Sequence, residues 1–430
     1  MAVALCAASC GARIADRGAV GDPDAQEYVQ LVAAIGARDR DSVDYLYGTE
    51  ASALQKSANL PSFASIRSAA RALADRLDRQ RSPETSDDQR RRMHLARQAR
   101  AIAARADLLI GQRARFDAES LSLFGVTAPQ VNRTDADLVR SQIARVLPGS
   151  GPLSSRYARF VGHLLVPESR QRAILSTAIA ECRRRSAAHI ALPRGEQVEI
   201  IDVDNSPWIA YSRYTGNFRT ILELLRGARL TPDAALALAC HETYPGHHLQ
   251  NVLVEERLVR AHGWIEFTVQ PLFSPQMLLA EGAATTAVDV AFPNDEREAF
   301  ERDVLFPAAG LDPGLATTHV VVERLIARLG DQQTAVARLF VDGDLEFARA
   351  SAALSDETLT PQPDTLLKFF NEYRSFAVTY TVGAARVRDA IAARRSSADP
   401  ASAWEAYESI ITSPWSWPSE RSAKPFAGRR

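Results

Sequence analysis

The sequence predicts a mainly α-helical protein with one small antiparallel β element placed just before a histidine-rich helix. Three observations predict it. Long stretches rich in Ala, Leu and Arg repeat apolar residues at helical spacing. A single segment, 196–225, concentrates β-branched and aromatic residues. A capped helix start follows it at once, with Thr231 as N-cap, Pro232 at the first helical position and Asp233 in the first turn.

Taken in order, residues 26–80 read as helix in "AQEYVQLVAAIGARDR" and "SFASIRSAARALADRLDR", and "RSPETSDDQ" (81–89) as a loop. The arginine-rich run from residue 90 to 125 reads as one or two long helices. Its arginines are interleaved with a few Asp and Glu, read as a solvated helix face rather than a nucleic-acid patch. "VLPGSGPLSS" (146–155) is a Pro/Gly/Ser break, and a helical stretch over 167–190 follows. Within 196–225, "DNSP" and "TGN" supply turns. These textures divide the chain into an N-terminal helical region (1–195), a metal-binding catalytic region (196–400) and a loosely held C-terminal tail (401–430).

Composition narrows the class. Apolar residues make up 46% and charged residues 24% of 430, with a net charge of -1, so no global field attracts nucleic acid. No apolar run reaches the roughly 18 residues of a membrane span. The four cysteines, Cys6, Cys10, Cys182 and Cys240, fit neither a disulfide framework nor a C-x-x-C site, and a reduced state is expected. "MAVALCAASCGA" has the look of a lipoprotein signal stub with Cys10 as the lipidated residue. It lacks a basic start and its apolar run is short, so a cytoplasmic location is expected.

The chemistry concentrates in "CHETYPGHHLQ" (240–250). A catalytic zinc takes three protein ligands and leaves a position for water. In H-E-x-x-H, two histidines four apart share a helix face and the Glu acts on the metal-bound water. Here His241 and Glu242 are in place, but His247 lies six residues on, roughly 120° around an ideal helix, and His248 seven on, about 10.5 Å along it. Neither suits a straight helix. Pro245 cannot donate to the carbonyl of His241, and Gly246 has backbone freedom, so a local bulge would return His247 to the metal. The competing reading is a helix stopped by Pro-Gly, with histidines near its C-terminal dipole. The other histidines (His94, His163, His189, His262 and His319) are isolated and read as structural or surface residues.

"HETYPGHHLQ" resembles the H-E-x-x-P-G-H-H-L-Q signature of a bacterial family of zinc-metallopeptidase-like proteins, usually labelled a domain of unknown function. That family is similar in turn to helical gluzincins such as thimet oligopeptidase and carboxypeptidase Taq, whose motif reads H-E-x-G-H. The resemblance covers roughly residues 195–395 and implies a helical zincin-like metallopeptidase fold. It makes His247 the second ligand and Glu281, in "LLAEGAATTA", the third; Ala283 stands where many members have an aromatic residue. A weaker block, "FAVTYTVGAARVRDA", supplies Tyr380, Gly383 and Arg386.

The resemblance and the chemistry together give each residue a role. His241, His247 and Glu281 hold one Zn2+. Glu242 is the general base, and Tyr380 or Arg386 stabilises the oxyanion. His248 supports the ligands or faces substrate. In the β segment, Tyr211, Arg213, Tyr214 and Asn217 are candidates for contacts to an extended peptide or peptide-like substrate. The same ligand set can hold Fe2+ for oxidative chemistry in secondary metabolism. A relative that binds without catalysing is the third class.

Overall fold

Among the described residues, four α-helices begin where the chain supplies a capping oxygen followed directly by proline. The side chains of Asp22, Thr231, Ser274 and Asp399 accept hydrogen bonds from the backbone N–H of Asp24, Ala234, Met277 and Ala401, with Pro23, Pro232, Pro275 and Pro400 next in each case. The computed structural model describes residues 22–48, 59–79, 87–204, 206, 208–396 and 399–413. The protein is mainly α, with two small sheets among the described residues. The N-terminal cysteines, most of the expected 81–89 loop and residues 414–430 lie outside them.

Helices α1 (Pro23–Arg38), α2 (Phe63–Arg79) and α3 (Asp87–Leu109) bury one apolar face each, around Tyr28, Ile35, Ile66, Leu73, Leu95 and Ile102. Strand β1 (Val43–Leu46) leaves this bundle and pairs antiparallel with the short strand Val269–Pro271. The N-terminal region is thereby joined to the segment that carries the histidine motif. Helices Arg133–Val146 and Leu153–Gly162 flank the expected Pro/Gly break, and α4 (Glu168–Ala187) precedes the second sheet.

That sheet comprises β2 (Gln197–Val203), β3 (Ala210–Gly216) and β4 (Arg219–Leu225) in the order β2–β4–β3. It is mixed, which corrects the expected purely antiparallel element. β3 and β4 form a hairpin through Asn217 and Phe218, both left-handed (φ 54° and 61°), and β2 adds to the far side of β4 in parallel. β3 is left as an edge.

Helix α5 (Pro232–Glu242) follows, then α6 (His247–Val254) and α7 (Pro275–Ala291). Near the C-terminus, α8 (Pro363–Tyr373) leads through a π-helical turn, Thr379–Gly383, into α9 (Ala384–Arg394) and α10 (Pro400–Ile411). Helices α4, α5, α7, α9 and α10 share one core with β4, including Leu175, Leu222, Leu236, Leu279 and Tyr407. Residues 400–411, expected to belong to a loose tail, are thus a core helix: Trp404, Tyr407, Ile410 and Ile411 are buried at turn spacing.

Cys182 on α4 and Cys240 on α5 form a disulfide, with Cα atoms 5.8 Å apart. This corrects the expected reduced state. The two lie 58 residues apart in sequence, and only the packing of α4 on α5 brings them together. No helix among the described residues is long and apolar enough to cross a membrane.

Candidate metal centre

The histidine helix breaks where the proline predicts. α5 ends at Glu242, the Tyr244–Pro245 peptide is cis, and α6 restarts at His247. Across the break, the N–H of Gly246 reaches back to the carbonyl of Cys240 (2.9 Å), and that of Leu249 to Thr243 (3.1 Å). The result is two helices joined by a tight turn rather than a bulge inside one. The glycine is required by space, not by a left-handed backbone: a Cβ at Gly246 would lie 1.9 Å from the carbonyl oxygen of His241.

The turn brings the two imidazoles together, with His241 Nε2 and His247 Nε2 3.2 Å apart. Glu281, on α7, approaches both: Oε2 is 3.3 Å from His241 Nε2 and Oε1 is 3.5 Å from His247 Nε2. Tetrahedral zinc with bonds near 2.05 Å separates its ligand atoms by about 3.3 Å, so the three donors have the spacing of a shared ion. Glu281 Oε2 is buried and makes no hydrogen bond in the protein, an atom that wants a cation. Among the described residues, these three are the group of His, Cys, Asp and Glu that could hold a metal ion.

The electrostatics agree with mutual attraction around a shared point. Burial alone would raise Glu281, but His247 and then His241 pull it down to about 2. Burial opposes a proton on His247, yet Glu281 outweighs it and lifts the ring to about 9. Glu242 is buried beside them. Burial raises its carboxyl above the ordinary value, partly offset by His241 and His247, with Glu281 adding to the rise.

A small-residue contact positions α7. A Cβ on Gly282 would lie 2.4 Å from the backbone of Gly383, and one on Gly383 would lie 2.5 Å from the carbonyl of Leu278. The Glu-Gly of α7 and the Gly of the π-helical turn are therefore one close crossing, which sets Tyr380 beside the histidines. The Tyr380 ring stacks 6.4 Å from that of His241. The Tyr407 hydroxyl, from α10, lies within hydrogen-bond reach of the carbonyls of Pro245 (3.2 Å) and Ala283 (3.0 Å), bracing the break against α7.

A cavity of about 460 Å³ opens over the three ligands. Its lining includes Tyr211, Arg213, His241, Glu242, His247, Glu281 and Tyr380. The hydroxyl of Ser212 donates to the backbone carbonyl of Glu242 (3.0 Å), which ties the β3 edge to the end of α5. Arg213 is paired with Glu223 at 2.7 Å, and the Tyr211 hydroxyl donates to the carbonyl of Asp44.

Four residues expected at the site lie elsewhere. His248 is fully buried: Thr220 Oγ1 is 2.8 Å from Nδ1 and Glu196 Oε2 is 3.0 Å from Nε2. Burial lowers the ring's affinity for a proton against the opposing pull of Glu196; in the neutral ring, Nε2–H donates to the carboxylate and Nδ1 accepts from the hydroxyl. Tyr214 donates to Glu255 and packs among Tyr45 and Tyr47. Asn217 forms the hairpin turn and accepts from Arg260 at 3.2 Å. Arg386 is half-buried on α9 and is not among the cleft-lining residues.

Conversely, the cleft includes residues the sequence did not single out. Arg40, Asp41, Val43 and Asp44 come from the N-terminal region, and Trp208, Phe369, Tyr373 and Phe376 form an aromatic side. Desolvation raises the Asp44 carboxyl to about 6 against the opposing charge of His247. No signal in the sequence around residue 44 marks it, since β1 reaches the site through contacts with distant segments, its pairing with Val269–Pro271 and the Tyr211 hydroxyl.

No family model matches the chain, and no curated protein does. Among solved structures it is similar to one described as a "putative lipoprotein" from Colwellia psychrerythraea, with 13% identity, a TM-score of 0.46, and coverage of 82% of this chain and 68% of that one.

Proposed function

We propose that the protein is a zinc-dependent hydrolase that cleaves an amide bond in a peptide or small peptide-like substrate, on a helical zincin-like fold. One observation carries the reading: two imidazoles and a carboxylate converge at ion-sharing distances with a buried glutamate directly after the first ligand. Zinc held by His241, His247 and Glu281 would supply Lewis-acid polarisation of a carbonyl and an acidified water.

The chain's own groups do the rest. The Glu242 carboxylate takes a proton from the attacking water and returns it to the leaving amine. The Tyr380 hydroxyl is the candidate donor to the carbonyl oxygen as charge develops there. The β3 edge, fixed to α5 through Ser212, offers backbone groups to an extended substrate.

Glu242→Gln tests the reading. The variant is expected to bind zinc as the wild type does and to lose at least about 100-fold in turnover of a cleaved peptide, the low end for a general base. Undiminished turnover would remove Glu242 from the mechanism.

A further inference from the structure

The cleft has two chemically different sides. On the polar side, the two arginines are already engaged, Arg213 with Glu223 and the Arg40 guanidinium with the backbone carbonyls of Val43 and Asp44, and the carboxyl groups of Asp41 and Asp44 stand beside them. The other side is a continuous run of rings. Trp208 lies 5.1 Å from Tyr373, Tyr373 4.9 Å from Phe369, Phe369 6.3 Å from Tyr380, and Tyr380 6.4 Å from the ligand His241. Phe376 packs edge-on against Tyr380 at 5.7 Å.

These rings do not all complete one another. Tyr373 and Phe376 are buried, forming a floor, whereas Trp208 and Phe369 are only half-buried and Tyr380 is 37% exposed. The half-exposed rings, already in contact with one another, present apolar surface to the cleft above that floor. Aromatic groups gain from offset and edge-on contacts beyond the burial of area, so an aromatic occupant gains more from this surface than an aliphatic one of similar area. The wall runs up to a metal ligand, which places its occupant next to the reacting bond. A cavity of about 460 Å³ is small among ligand clefts, of a size for a short peptide rather than a folded protein segment.

We infer that the wall formed by Trp208, Phe369, Tyr373, Phe376 and Tyr380 is a specificity pocket for an aromatic side chain flanking the scissile amide, so that the substrates are short peptides carrying Phe, Tyr or Trp at that position. The inference rests on the hydrolase reading for the location of the scissile bond.

Binding to the zinc-loaded Glu242→Gln protein tests it without turnover. Calorimetry with blocked tripeptides of the form Gly-X-Gly would compare Phe, Leu, Ala and Asp at X. Phe is expected to bind at least about tenfold more tightly than Ala, from the apolar area it buries, and more tightly than Leu. Asp is expected to bind most weakly. Phe369→Leu keeps the apolar volume and removes the ring; it should erase the Phe-over-Leu difference, and Trp208→Ala should reduce the Phe-over-Ala ratio. Equal affinity for Phe and Ala, tightest binding of Asp, or no binding of any peptide would overturn the inference. The two ideas fail separately: an aromatic preference in binding with no cleavage by the wild type would reject the hydrolase reading, and cleavage without preference would reject the pocket.

Discussion

Substituting Gly246 by alanine tests how the helix break creates the metal centre. The added Cβ would lie 1.9 Å from the carbonyl oxygen of His241 and 2.4 Å from that of Cys240. Real Cβ atoms stay at least 3.0 Å from such neighbours, so the backbone must yield by about 1.1 Å at the first contact alone. Both obstacles are backbone, one of them belonging to a ligand, and neither can rotate away. Gly246 is bonded to His247, so the displacement passes directly to the second ligand. Metal–ligand distances tolerate only about 0.2 Å. Zinc affinity is therefore expected to fall at least 100-fold, beyond the range of about 10–100-fold for a displaced supporting residue. Competition against a chromophoric chelator measures this, with far-UV circular dichroism verifying that the helices remain. A folded Gly246→Ala protein that holds zinc as tightly as the wild type would refute the account of the break.

Other consequences are independent of the metal. Glu301 is buried in a cluster with Asp233, Arg297, His319 and Glu323, and burial followed by the Asp233 charge raises its carboxyl from the ordinary 4.5 to about 9. Between those values the folded protein keeps a proton the unfolded chain releases. Its stabilising contribution is full below pH 4.5 and is lost as pH rises towards 9. Glu301→Gln should flatten the decline of the urea midpoint between pH 5 and 9; Glu323, raised to about 8, leaves some slope. Parallel profiles for the two proteins would contradict this. Arg297→Met leaves the buried Asp233 charge without its cation and is expected to cost about 3–5 kcal/mol by urea unfolding at neutral pH. Tyr407→Phe should cost about 1 kcal/mol by the same measurement, through loss of the hydroxyl that braces Pro245 and Ala283. Peptide mapping without reductant should recover Cys182 and Cys240 joined.

How far the sequence anticipated this molecule depends on the range of the interactions. Helix starts were readable because cap, proline and apolar period occur within a few residues, as at Thr231–Asp233. The approach of His241 and His247 was readable for the same reason, since the break that produces it lies between them. Glu281 needed the resemblance, because its place depends on α7 crossing the π-helical turn at Gly282 and Gly383. Asp44, Tyr407 and the cysteine pair depend on contacts between distant segments, and nothing local marks them. The β segment shows a different limit. Alternation identified strands, but not which face of β3 meets the cleft: Tyr211 and Arg213 line it, whereas Tyr214 is buried against Glu255 and Asn217 forms the turn beside Arg260. His248 was misplaced because a His-His pair at a helix start points two ways, one ring to the ligands and the next into the core.

The central claim is that His241, His247 and Glu281 hold one ion together. Metal analysis of the purified protein beside His241→Ala and Glu281→Ala tests it most directly. The account predicts about one zinc per wild-type chain and loss of bound metal in both folded variants. A wild-type chain that retains no divalent metal, or variants that retain it undiminished, would contradict it.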